Sequence, residues 1–401
     1  KKKYARPRCS ESNSLAFAPR VRVERRLASL PRLRHADGCV DVRDHLSPCP
    51  RQLLLLRCCA RTHARTAATS RPFYLPHLTT TPLPPHHHPS SCSVEQADIG
   101  SGAVRVKMLA SPVSTADLTA IEGFNGKTAF PAVGGNVGVG VVEAVPAGAK
   151  SLHVGDWVVA GRPGLGTWRK ELTATEDALI KVASDIPVEQ AATLGGSPSV
   201  ALRLLSDFAQ LGPGDVVIQN AANSAVGEAV VQICAARGIQ TVSIVSDGAK
   251  TDDTVRHLQS LGGTLVIPER MAFSKIASLL ADLPAPKLAI NGAGGESASA
   301  VASVVAPGGI MVTYGSEHRS GVTVPTSALV AGDLRLAGFS LARWASSATA
   351  GEAGAMISEL TGMVKEGKLR SFCELKSFAD WNSAVAAAGG AYDREVVITM
   401  E

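Results

Sequence analysis

The run Asn220-Ala-Ala-Asn-Ser-Ala-Val-Gly227 is the part of this sequence whose residue types and spacing point most directly to chemistry. A polar turn of small residues that opens a helix can bring backbone N–H groups to a phosphate. The flanks supply the elements that must hold it. Val216–Ile218 reads as a short apolar strand. Val226, Ala229, Val230, Ile233 and Cys234 recur at i, i+3, i+4, i+7 and i+8, the spacing of one helix face. Gly238 stands just past the last of them, where a glycine commonly ends a helix. Thr241–Val245 is a second strand, ending at Ser246-Asp247. The three elements make one βαβ unit whose first turn sits where the pyrophosphate of a dinucleotide would meet a helix amino terminus. Of the G-x-G-x-x-G fingerprint, which here reads Ala222-Asn-Ser-Ala-Val-Gly227, the third glycine remains, the one that lets helix and strand pack closely. An ordinary βαβ unit with a polar turn fits the same pattern. Asp247, about 20 residues past Gly227, stands where an acid binds ribose hydroxyls. A solvated residue at a strand end fits it equally.

The chain has 401 residues, 45% hydrophobic and 19% charged, which suits a globular enzyme of two domains. Its net charge of +5 does not point to nucleic acid. Residues 1–95 are rich in arginine (Arg6, Arg8, Arg20, Arg22, Arg25, Arg26) and the remainder is near neutral, without a basic face interleaved with aromatics. Six of the eight cysteines lie in that first stretch, leaving Cys234 and Cys373 to the globular part. This is not a disulfide framework and suits a reducing compartment. Arg51–Arg71 is rich in arginine and hydroxyls and free of acids, the composition of an organellar transit peptide. The leucines 53–56 are too few to span a bilayer. The Pro- and His-rich run that follows, with His86-His87-His88, is expected not to pack. Residues 1–97 are therefore expected to be a disordered, transit-like tail. The first residue is Lys1 and the first methionine Met108, so the tail is also expected to be an incomplete amino terminus.

From about Asp98 the pattern becomes regular. Val104–Leu109 alternates as a half-buried strand. Ser111–Asp117 turns into a short helix ending near Gly123. Pro131–Val142 is Gly-rich and apolar, suited to close backbone approach in a small β-rich domain. Ala191–Leu205 reads as a helix broken near Pro198. Beyond Asp247, strands Thr264–Ile267, Leu288–Asn291 and Gly309–Thr313 alternate with helical stretches such as Phe273–Leu283, which implies a doubly wound parallel sheet. Val322–Pro325 and Leu334–Phe339 are expected as edge strands. Helices at Glu352–Glu366 and Phe378–Ala388 and a last strand, Arg394–Met400, rejoin the β-rich part.

Ten stretches then carry a family resemblance in order: VRVKMLASP (104–112), PAVGGNVGV (131–139), GDWVV (155–159), GLGTWR (164–169), ALIKVASDIP (178–187), AATLG (191–195), GDVVIQNAANSAVG (214–227), SLGG (260–263), MVTYG (311–315) and ITM (398–400). The chain resembles the medium-chain dehydrogenase/reductase superfamily and, within it, the zinc-independent mitochondrial trans-2-enoyl-CoA/acyl-carrier-protein reductases. The resemblance implies an α/β fold: a Rossmann doubly wound parallel sheet, residues 201–343, inserted in a GroES-like β-rich catalytic domain, residues 98–200 and 344–401. It also implies a homodimer joined through edge strands around Val322–Phe339. Strands that precede VRVKM in the family have no counterpart in residues 60–97, so an unpaired sheet edge is expected.

By that resemblance the chain reduces the 2,3 double bond of enoyl thioesters with NADPH, or NADH, and without zinc, in mitochondrial fatty-acid synthesis in the matrix. Hydride goes to C3 and a proton to C2, so an enolate-like oxygen must be stabilised and a proton supplied. In the family a tyrosine supplies the proton. Here that position is Asn125, preceded by Phe124, and an amide cannot donate a proton as a phenol does. The implied cofactor contacts are Ser197, Asn223, Ser224, Ala225, Val226 and Gly227, then Ser246, Asp247, Gly248 and Lys250, and finally Tyr314, Gly315, Phe339, Ser340 and Leu341. Ser197 stands at the family's nicotinamide-side asparagine, and Val200 replaces the threonine that follows. Ser246 and Gly248 replace its 2′-phosphate arginines, leaving Lys250 as a point charge, while a ribose-facing Asp247 would favour NADH. Trp168 and Arg169 are the implied substrate contacts, toward a CoA or acyl-carrier thioester, against the alternative of a packed indole and a surface cation. For zinc, the Gly-rich segment reads Gly135-Asn136-Val137 and lacks the His-Glu pair of zinc-dependent relatives, and too few cysteines remain for a structural site. Two other readings stay open: a zinc-independent quinone reductase-like enzyme, and a degenerate cofactor-binding or structural protein. No nucleic acid or membrane partner is expected.

Overall fold

The structure is a computed structural model. It describes residues 102–123, 132–390 and 394–401, and the backbone of the strands Leu53–Cys58 and His87–Cys92. Six strands form one parallel sheet. In chain order they are Val216–Gln219, Gln240–Val245, Leu265–Pro268, Leu288–Asn291, Ile310–Thr313 and Arg335–Gly338, and in space they run 3-2-1-4-5-6. That is the doubly wound order, which reverses between the first and fourth strands. Those two strands are buried along their whole length. This is why they read as unbroken apolar runs, since helices cover both faces of a parallel sheet.

A second, seven-stranded sheet is mostly antiparallel and gathers Val104–Pro112, Val139–Ala144, Trp157–Ala160, Glu171–Ala174, Leu179–Val182, Cys373–Ser377 and Glu395–Thr399. Its last strand returns from the far end of the chain and pairs Val397 with Pro112, as the sequence pattern predicts. One apolar core joins the two sheets: Ala110, Val139 and Val182 pack in the same cluster as Leu202, Val217, Val230 and Ile290.

Helix boundaries follow local chemistry. Ser224 caps Ala225–Ala236 by accepting the Gly227 amide, and Gly238, at φ +69°, ends it. Capping boxes at Ser114/Asp117 and Thr349/Glu352 start the helices Thr115–Ile121 and Ala350–Lys365. The expected break at Pro198 falls earlier. The helix Val188–Thr193 stops, and Ser197–Asp207 begins with Pro198 in its first turn, where its missing N–H costs no hydrogen bond.

Other expectations differ. Val322–Pro325 forms no strand; Val322 makes one isolated bridge to Gly295. Residues 200 and 343, expected as domain limits, fall inside the helices Ser197–Asp207 and Leu341–Ser347. Within residues 1–97, expected to be disordered, Leu53–Cys58 pairs with His87–Cys92 on one side and with Ala132–Val133 on the other. Composition does not forbid this, because pairing uses backbone groups that any sequence carries.

Trp168 anchors the β-rich half. It is fully buried, its indole N–H donates to the Pro112 carbonyl at 3.2 Å, and a Cβ at Gly134 would stand 2.4 Å from its ring. Trp168→Ala is expected to cost about 3–5 kcal/mol in a urea unfolding experiment, the range for emptying an aromatic site in a core.

Candidate active site

The chain leaves the first strand of the parallel sheet bonded to both neighbours: the Asn220 amide donates to Ile290 and the Ala222 amide to Ile244. Asn220 itself is fully buried. Its side chain donates to the Asn291 side-chain oxygen Oδ1 at 2.8 Å and accepts the amides of Gly292, at 2.7 Å, and Ala293, at 3.1 Å. Asn291 then donates to the Thr313 hydroxyl at 3.1 Å. The carboxyl ends of the first, fourth and fifth strands are thereby tied side by side, at the point where ligands bind in such sheets.

Ala221 turns the chain with φ +49°, in the left-handed region. The helix then passes so close that a Cβ on Gly227 would lie 2.5 Å from the Ala222 carbonyl oxygen. Only glycine fits there. Asn223, Ser224, Ala225 and Val226 stay half-exposed at the helix amino terminus while Gly227 is buried. The Ser224 hydroxyl takes the Gly227 amide, leaving the amides of Ala225 and Val226 for an anion or water. These amides at the helix amino terminus suit a dinucleotide pyrophosphate.

Tyr314 leaves the fifth strand half-exposed, with its hydroxyl 3.4 Å from the Ser224 oxygen. A Cβ at Gly292 would lie 2.5 Å from that hydroxyl, and burial pushes the phenol up to about 12, so it stays protonated. Gly315 is in close contact with the Gly292 backbone. Phe339 packs edge-on against Phe208 with ring centres 6.0 Å apart. Ser340 caps the helix that Leu341 begins.

At the end of the second strand, Asp247 is not free. Its carboxylate accepts the Arg270 amide at 2.8 Å and pairs with the Arg270 guanidinium. The sequence reading missed this cation, which stands 23 residues away at the exit of the next strand. Ser246 donates its amide to the Asn223 side chain at 3.4 Å. Gly248 and Lys250 are exposed, and Lys250 lines a groove of about 370 Å³ with Asn223, His257, Arg370 and Arg394. His257 bonds the buried Glu228 at 3.0 Å.

One expectation needs correction. Trp168 cannot touch a substrate, because no part of it is exposed. The cause is that Gly134 and Gly135 leave space that the indole fills, a contact no local spacing reveals. Arg169 is half-buried and donates to the Gly166 and Leu165 carbonyls at 2.6 and 3.1 Å, which ties its guanidinium to its own loop. Phe124 and Asn125 lie outside the described residues. Among the described residues there is no group of three or more His, Cys, Asp or Glu that could hold a metal ion.

Ser197, expected at the nicotinamide end, brings in a residue that no sequence pattern singles out. Its hydroxyl contacts the Glu395 carboxyl at 3.1 Å, across 198 residues. Glu395 is buried, and its second oxygen has no hydrogen-bond partner among the described residues. Burial pushes this carboxyl up from the usual 4.5 to about 7, against the lowering effect of the Ser197 contact.

Gly227→Ala is expected to weaken dinucleotide binding at least tenfold in a fluorescence titration, while Ala221→Gly, which relieves a left-handed alanine, raises stability by about 1 kcal/mol. Glu395 adds a pH dependence. A carboxyl whose pKa is raised by folding contributes stability that is full below its unfolded pKa and is lost as pH rises through the folded value. The shift from 4.5 to about 7 corresponds to on the order of 3 kcal/mol lost between those limits. Glu395→Gln should remove this slope from a plot of unfolding free energy against pH.

Residues 100–184 match the alcohol dehydrogenase GroES-like domain. The chain is similar to the mitochondrial enoyl-acyl-carrier-protein reductase of Homo sapiens, 42% identical over 299 residues, which cover 74% of this chain and 80% of that protein. It is similar to the same-named protein of Dictyostelium discoideum, 36% identical over 310 residues, 76% and 88% of the two chains. Among solved structures, the Etr1p/NADP/crotonyl-CoA complex superposes with a TM-score of 0.70 at 27% identity, covering 79% of this chain and 96% of that one. The mitochondrial 2-enoyl thioester reductase Etr1p/Etr2p heterodimer from Candida tropicalis gives 0.69 at 28% identity over the same shares. The parallel sheet, the glycine-tight turn and these identities agree, and the chain belongs to the mitochondrial enoyl-acyl-carrier-protein reductase family of the medium-chain dehydrogenase/reductase superfamily.

Proposed function

We propose that this protein reduces the 2,3 double bond of trans-2-enoyl thioesters, carried on CoA or acyl carrier protein, with NADPH, in fatty-acid synthesis in the mitochondrial matrix. The observation that carries the reading is the turn Asn220–Gly227 at the reversal point of the sheet, where the close approach of Gly227 to Ala222 seats a helix amino terminus at the carboxyl ends of the strands. When bound, NADPH supplies the hydride. The chain's own residues bind and orient. The first helical turn, Asn223 to Gly227, receives the pyrophosphate, and Tyr314 and Gly315 border it. Ser197 stands at the nicotinamide end, with Phe339, Ser340 and Leu341 along the wall formed after the sixth strand. No zinc ligand enters this account.

The adenosine end favours the phosphorylated cofactor. Asp247 would repel a 2′-phosphate, but Arg270 neutralises it, and Lys250 adds a second cation nearby. An Arg guanidinium matches the geometry of a phosphate dianion. A homodimer through the sixth strand is supported by its exposure: Leu336 is 50% exposed on an edge with no further partner strand among the described residues.

The test is consumption of NADPH by the purified protein with a trans-2-enoyl-CoA such as crotonyl-CoA. Thioester-dependent oxidation supports the proposal. Binding without turnover would favour a cofactor-binding scaffold, and turnover with quinones alone would favour the quinone reductase reading. Arg270→Ala should weaken NADPH binding about tenfold and leave NADH binding within about twofold, the loss expected for one charge-assisted contact.

A further inference from the structure

We propose that Glu395 is the proton store of this site, delivering its proton through the Ser197 hydroxyl to the carbon next to the thioester carbonyl. The inference rests on the enoyl reduction proposed above. That reaction needs one proton for each hydride, and the amide at Asn125 cannot release one.

The geometry supplies the alternative. Ser197 is the first residue of the helix Ser197–Asp207, and the strand Glu395–Thr399 carries Glu395 to within 3.1 Å of its hydroxyl. Glu395 is 8% exposed, and its Oε2 is buried without a hydrogen-bond partner among the described residues. A carboxylate left half-satisfied in a buried place is costly, and the cost falls when the group holds a proton. A protonated carboxyl and a hydroxyl can each donate to the other, so the contact can pass a proton in either direction.

Burial, rather than a neighbouring charge, holds the proton on this carboxyl below about pH 7. Cys373 stands opposite Glu395 on the neighbouring strand, and burial pushes its thiol up to about 12, so it brings no charge near neutrality. Glu189, Glu228 and Arg370 act on that same thiol, and Arg394 precedes Glu395 on its own strand. The helix amino terminus at Ser197 favours a carboxylate. Burial outweighs this and the lowering Ser197 contact, and pushes the group up to about 7.

The step balances. As the hydride bonds to C3, the electrons of the double bond move toward the carbonyl oxygen. C2 then takes the Ser197 hydroxyl proton, Ser197 takes the Glu395 proton, and the carboxylate is reprotonated from water. Glu395 acts through Ser197, so it positions and supplies the proton without touching the substrate.

The experiment is the pH profile of kcat with crotonyl-CoA, beside NADPH binding measured by fluorescence. The unaltered protein should lose kcat above about pH 7. Glu395→Gln should lower kcat by about 100-fold, within the range for losing a general acid, and abolish that alkaline limb, with the NADPH Kd within twofold. Ser197→Ala should lower kcat, and Ser197→Thr, which keeps a hydroxyl, should restore it. If Glu395→Gln does not fold, infrared titration of the unaltered protein decides: a buried carboxyl band lost near pH 7 supports the proposal, and a band absent at pH 6 overturns it. A Glu395→Gln enzyme with unchanged kcat and an unchanged alkaline limb would overturn it while leaving the reductase reading intact. Absence of any thioester-dependent turnover in the unaltered protein would instead remove the reading on which it rests.

Discussion

The bond between the side chains of Asn220 and Asn291 holds the site open and in register. Both amides are fully buried, and each must be satisfied inside the protein. Asn220 is satisfied by Asn291 and by the amides of Gly292 and Ala293, and Asn291 by Thr313 and the Gly294 amide. This small network fixes the ends of the first, fourth and fifth strands, where the winding of the sheet reverses. The helix Ala225–Ala236 can then start at one height above the sheet, and Gly227 lets it sit there. Losing either asparagine would leave its partner's polar atoms buried without a bond, which costs more than the bond itself contributes.

Much of the fold was legible in the sequence because its signals are local. The alternation of apolar strands with helical spacing, from Val216 to Thr313, follows from a sheet covered on both faces. The end of the helix at Gly238 follows from the left-handed turn there. The strands Leu288–Asn291 and Ile310–Thr313 fall within one residue of the expected positions. Composition misled where it was averaged: the arginine-rich tail contains four consecutive leucines that fall in a strand paired with His87–Cys92 and Ala132–Val133.

The site was legible only in part, and the limit is distance along the chain. The turn from Asn220 to Gly227 carries its own pattern, so its residues were identifiable. Arg270 is 23 residues from Asp247, and Glu395 is 198 from Ser197. Neither has a neighbour in sequence that marks it. A lone arginine at a helix start and a lone glutamate beginning a final strand are ordinary features until the fold brings their partners to them. Trp168 shows the reverse case. Its resemblance to a substrate-facing residue was local, while the glycines that bury it lie more than thirty residues earlier.

The most direct measurement follows the label from the cofactor into the product. NADPH carrying deuterium at the transferable position is incubated with crotonyl-CoA and the protein, and the saturated thioester is examined by mass spectrometry and NMR. The account predicts one deuterium at C3 and a solvent-derived hydrogen at C2. Label-free product, or no saturated product while NADPH remains bound, would contradict it.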